Sequence, residues 1–164
     1  MRKEELVSII DSLLPRVYGL AFALMGDELE AEQVIIDAYT VYLMQDKDFL
    51  LKESFDSSDS KERSSIRRYL LKELFREVFE LCQKRIPQLS GKNRKNLLEF
   101  ESFYRIGVNK RAVMYLKEIE KFQIEDLQEI FSMERHRVLE LFHNAKHELL
   151  IDKKINNEEM LSWN

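Results

Sequence analysis

The chain has 164 residues and a formal net charge of −4, with 34% charged and 45% hydrophobic side chains but only 4 Gly and 2 Pro. So few turn residues exclude a β-rich fold and a glycine-cradled phosphate site, and predict helices with wet outer faces. One Cys excludes a disulfide framework and a thiolate zinc cluster. No apolar run reads as the roughly 20 residues of a bilayer span. The first turn carries acids and no small-residue cleavage site follows, so no signal peptide is expected. The expectation is an all-α, soluble, cytoplasmic protein without a membrane span.

Charge is unevenly distributed. Lys and Arg set against Asp and Glu give −8 over residues 1–60, +7 over 61–110 and −3 over 111–164. Net acidity speaks against nucleic-acid binding by the chain as a whole. The blocks point to surfaces with different partners, or to chance on solvated helices.

Residues 3–25 have a helical pattern, in which Pro15 marks either a first turn or a kink. Val17, Leu20, Ala21 and Leu24 share a face, and Gly26 stops the helix. Asp27 is an N-cap, with Glu30 three residues on. A second helix runs to about Met44, with Ala31, Val34, Ile35, Ala38, Tyr39, Val41 and Tyr42 as apolar positions. The Ser-rich stretch 53–65 predicts a loop, with Ser64 or Ser65 capping a long helix over 66–85. Ile66, Leu70, Leu74, Val78, Leu81 and Cys82 line one side of it. Cys82 is expected as a small buried group.

Pro87–Asn96 is the best domain boundary. A short helix near Leu97–Phe103 and helices over 110–120, 124–131 and 134–150 follow. In the last pair, Ile124, Leu127 and Ile130 face Val138, Phe142, Ala145 and Leu149 across a turn of Ser132 to Glu134, the spacing of a helix-turn-helix. Met160, Leu161 and Trp163 belong to a tail that docks or frays.

From Ala112 to Leu149 the chain resembles region 4 of bacterial sigma factors, without a gap. Leu116 falls on a core leucine. Glu125, Asp126, Leu127 and Ile130 fall on the family's E-E-I-A-x-x-L helix, and Val138, Phe142, Ala145 and Leu149 on its recognition helix. Gly26-Asp27, Ala31-Glu32, Asp37 and Tyr39 resemble region 2, and Tyr69-Leu70 falls where the family often has Trp-Leu. Both regions stand in the order found in extracytoplasmic-function sigma factors.

That resemblance implies two small helical domains: residues 1–86 region-2-like, 87–100 a linker, 101–150 a region-4-like helix-turn-helix domain, and 151–164 a tail. It implies binding of core RNA polymerase through Asp27, Glu28, Glu30, Glu32 and Asp37, where complementary charge sets register and on-rate. Gln33 and Ile36 stand where the family has Asp and Gln. It assigns promoter DNA to Arg67, Arg68, Lys72 and Arg76 and to Arg135, Arg137, Asn144 and Lys146. DNA binding is expected to be weak or altered, because Arg137, Glu140 and Leu141 occupy positions where Thr, Ser and Arg are common. A regulatory partner such as an anti-sigma factor is the further implied contact. The alternative is a protein-interaction or regulatory module that keeps the sigma fold without promoter recognition.

His136, Glu140, His143 and His147 form an outward stripe that gains positive charge below about pH 6.5. His143, His147 and Glu140 are the one ligand-like spacing, and three groups from a single helix seldom complete a metal site. The chain has no P-loop, dinucleotide fingerprint or nucleophile elbow. Glu140-x-x-His143 lacks the second such pair of a di-iron bundle. No catalytic residue, cofactor or metal is expected.

Overall fold

The computed structural model describes residues 3–44, 60–89 and 100–161, the last ten of these as backbone only. The described residues form seven α-helices and no strand: α1 (Lys3–Met25), α2 (Glu28–Met44), α3 (Ser60–Arg85), α4 (Glu101–Arg105), α5 (Val108–Glu118), α6 (Ile124–Phe131) and α7 (Arg135–Leu161). A 3₁₀ turn over Ile86–Leu89 follows α3. The chain divides into two compact units, Met1–Gln88 and Leu89–Asn164.

In the first unit α1, α2 and α3 pack pairwise on one another. Leu6, Ile10, Leu13, Val17, Leu20 and Leu24 of α1 step by four and three and are all buried, the period that keeps one face of a helix inward. α1 ends at Gly26, whose φ of 68° suits glycine; its N–H donates to the Phe22 carbonyl at 2.8 Å. Two residues then suffice to reverse the chain into α2. Pro15 neither starts a helix nor interrupts one: α1 runs through it. Pro15 and Asp11 are both exposed, so the Asp11 carbonyl that loses its helical donor is open to water. By length and composition α1 could also cross a membrane, a property the sequence reading did not find. Its stripe of Leu6, Ile10, Leu13, Val17, Leu20 and Leu24 packs against α2 and α3.

α3 differs from expectation at its start and in its width. Helix begins by Ser60, so Ser64 and Ser65 lie inside the first turns rather than capping them; Lys61, Glu62 and Arg63 are good helix formers that extend it. Leu71, Phe75 and Phe79 are buried along with Ile66, Leu70, Leu74, Val78 and Cys82, whereas Leu81 is half-buried. A helix packed on two neighbours buries two stripes, and a single period finds one.

In the second unit α7 packs against α4, α5 and α6, and α5 against α6. Its core is Ile106, Ala112, Val113, Leu116, Phe122, Leu127, Ile130, Phe131, Val138, Leu141, Phe142 and Ala145. α6 opens with a reciprocal cap in which the Gln123 N–H donates to Asp126 Oδ2 at 3.1 Å. The region expected to be a tail is helical as far as Leu161; Trp163, residues 53–59 of the expected loop and 90–99 of the expected linker lie outside the described residues.

Candidate partner and nucleic-acid surfaces

The acids of α2 divide by position. Asp27 Oδ1 accepts the Glu30 N–H at 3.0 Å, which engages it at the helix end. Glu28 and Glu32 are exposed. Burial, then the nearby charges of Glu28 and Glu32, push the Tyr18 phenol above its ordinary range. Glu30 and Asp37 turn toward their own unit. The Arg85 guanidinium at the end of α3 lies 3.7 Å from Glu30 Oε2 and donates to Asp37 Oδ2. Asp37 Oδ1 also accepts from Gln33 Nε2 at 2.8 Å. A pair joining positions 37 and 85 has no local signal in the sequence.

The outward face of α2 also carries large apolar side chains. Leu29 is 76% exposed, Ile36 58% and Met44 82%. Leu29, Gln33, Ile36, Thr40 and Met44 step by four, three, four and four, so they share one stripe. Thr40 Oγ1 donates to the Ile36 carbonyl at 2.7 Å, which leaves its methyl to the surface. Large apolar side chains exposed along one stripe of a packed helix, here spaced by Gln33 and Thr40, mark a candidate contact surface. Sequence reading treated this helix as an acidic face; Ile36, standing where the family has a polar residue, was the available clue.

On α3, Arg63, Arg67 and Arg68 are exposed near its start, with Arg63 and Arg67 one turn apart. Lys72 and Arg76 are half-buried, and Arg76 Nη1 donates to Glu73 Oε1 at 2.6 Å. The exposed basic patch is thus on the first turns of α3.

α6 and α7 are joined by Ser132–Glu134. Ser132 holds the left-handed conformation, φ 51° and ψ 44°, and the Met133 N–H donates to the Gln128 carbonyl at 3.1 Å. This is the conformation for which a turn glycine would be favoured. Leu141, which the resemblance places toward bases, is 8% exposed and belongs to the core. Asn144 is exposed. Arg135, Arg137 and Lys146 of α7 each meet a carboxylate. Arg135 donates to Glu125 of α6. Arg137 Nη1 donates to Glu140 Oε2 at 2.7 Å. Lys146 Nζ lies 2.9 Å from Glu118 Oε1 of α5, and 4.5 Å over the Phe142 ring. The hydrogen bond from Lys146 holds the Glu118 carboxyl below the usual carboxylate range. The Glu125 carboxyl is held down first by its own backbone N–H and then by Arg135.

His136, Glu140, His143 and His147 are exposed on α7. His136 Nδ1 stands 3.2 Å from Glu134 Oε2. Among the described residues no three His, Cys, Asp or Glu side chains gather as a metal set. Arg111, not singled out in the sequence, is 2% exposed. Its Nη1 donates to the Tyr104 carbonyl at 3.2 Å and its guanidinium lies 5.2 Å over the Tyr104 ring, an arrangement that fastens α4 to α5.

No protein-family model matches the chain, and no curated protein matches it. A solved structure does: the sigma factor RpoE of Bartonella quintana, crystallised with the anti-sigma factor NepR, with a TM-score of 0.58 and 17% sequence identity over 93% of this chain and 96% of that one. The all-α fold of this chain is therefore sigma-factor-like.

Proposed function

We propose that the chain is a divergent sigma-type transcription initiation protein, in which α2 holds core RNA polymerase and the two helical domains reach toward promoter DNA. The observation that carries this reading is the outward row of Leu29, Ile36 and Met44, with Glu28 and Glu32 beside it, on a sigma-factor-like fold. Residues 1–86 then act as the region-2-like domain, and 101–150 as a region-4-like helix-turn-helix domain. The apolar row supplies affinity by excluding water, and Glu28 and Glu32 supply register against a basic partner. Glu30 and Asp37 act indirectly, by fixing α2 on α3 through Arg85. Arg63, Arg67 and Arg68 are the cations that would track phosphates near the −10 element. A regulatory protein of the anti-sigma kind, as bound to RpoE, is the proposed second partner.

One set of contacts favours the second reading, a regulatory module without promoter recognition. Arg135, Arg137 and Lys146 of α7 are matched by carboxylates and Leu141 is buried, so little on the first turns of that helix is left to read bases.

Retention of the full chain on immobilised core polymerase tests the first reading. Wild type should be recovered at low salt. Leu29→Lys with Ile36→Lys should weaken retention by at least thirtyfold, the factor for the roughly 2 kcal/mol of one buried apolar anchor, while helix content stays the same. Absence of recovery by the wild-type chain would remove the sigma-type reading and leave the regulatory one.

A further inference from the structure

We infer that Glu118, Glu125 and Glu140 set the nucleic-acid selectivity of the second unit: by pairing with Lys146, Arg135 and Arg137 they keep α7 from binding duplexes through phosphates. The inference deepens the proposed function, since it takes α7 as the helix that would meet the duplex.

The three carboxylates come from three separate elements. Glu118 is the last residue of α5, Glu125 is in the first turn of α6, and Glu140 is on α7 itself. They converge on three cations of one helix, at 2.9 Å for Lys146, at 2.7 Å for Arg137 and in hydrogen-bonding contact for Arg135. All six side chains are between 41% and 65% exposed. Pairs this exposed add little to folding, so the core does not require them. Their consequence lies at the surface, where they cancel the charge that a phosphate would seek.

Binding of a polyanion depends on counterions released by unpaired cations, each steepening the salt dependence by about 0.9. A cation that already holds a carboxylate must first surrender it. The carboxylate then remains beside the phosphate as a like charge. Three such pairs remove the salt-dependent attraction that a helix bearing Arg135, Arg137 and Lys146 would otherwise have. The lowered carboxyls of Glu118 and Glu125 agree with pairs that persist at neutral pH.

The test is fluorescence anisotropy with a mixed-sequence DNA duplex of about 25 base pairs and the full chain, between roughly 50 and 200 mM salt. Replacing Glu118→Gln, Glu125→Gln and Glu140→Gln together keeps shape and removes charge. The expected result is about a tenfold gain in affinity at low salt, with a salt slope steeper by roughly 2 to 3. Adding Arg135→Ala, Arg137→Ala and Lys146→Ala should cancel the gain. The inference is overturned if the triple Gln variant binds no better than wild type, or if the gain survives loss of the three cations and so reflects net charge alone. Should the triple variant fold poorly by circular dichroism, the single Gln variants carry the same test, each expected to steepen the slope by about 0.9 and each overturning the inference if it does not. Polymerase retention reads α2 and is scored separately, so a failure there leaves this result standing.

Discussion

α2 and α7 are two of the helices to which the sequence assigns partners, and they handle charge in opposite ways. On α2 two acids turn inward to Arg85, and the outward stripe is left to Leu29, Ile36 and Met44. On α7 the cations stay outward, and acids from α5, α6 and α7 are brought to meet them. One helix turns two of its acids inward and shows large apolar side chains beside Glu28 and Glu32; the other shows charge already balanced. A net count of residues cannot separate these cases. An apolar face gains from removing water, whereas a balanced ionic face has little to offer a polyanion.

The first way to break this contrast is through the core beneath α2. Phe75 is fully buried, and Phe75→Ala should lower unfolding free energy by about 3–5 kcal/mol, read by urea denaturation. Arg85→Ala sharpens the contrast. Its pairs with Glu30 and Asp37 are half-buried, so the expected loss is about 1 kcal/mol. A loss as large as that of Phe75→Ala would mean that the inward acids, not the packed stripe, fix α2. The smallest effect belongs to α7. Glu118 is held below the ordinary carboxylate value of 4.5, so its contribution is present above that value and fades as pH falls through its lowered folded value. Glu118→Gln should therefore lower stability by a few tenths of a kcal/mol at neutral pH, and the difference from wild type should close in acid, below its lowered value. Urea midpoints at neutral and at acid pH check it; a difference that persists in acid would mean the pair is not the source.

What could be read from the sequence was local. Gly26 and Asp27 spell out the turn and cap between α1 and α2, and the structure places both as expected, while the Glu30 side chain turns to Arg85. The 132–134 turn and the inward positions Leu127, Ile130, Val138, Phe142 and Ala145 were likewise legible, because helical period and a short connection suffice to find them. What could not be read depends on contacts distant in the chain. Phe75 and Phe79 are buried because α3 is covered on two sides. Arg85 reaches Asp37 across 48 residues of sequence. Leu141, which the resemblance aligns with a position where Arg is common, packs with the core, since a leucine there gains more from burial than from water. The acids assigned to a partner carried no mark of which would turn inward, because that is decided by where the end of α3 falls.

Cys82 gives the first unit a chemical property that the second lacks. It is the chain's one cysteine, it has no solvent exposure, and it sits in α3 among the side chains that α1 and α2 cover. A thiol so enclosed is shielded from alkylating reagents while the three helices stay together. Its labelling rate therefore counts openings of that bundle. The chain carries its own stopwatch for the breathing of the unit that presents α2, with no engineered probe.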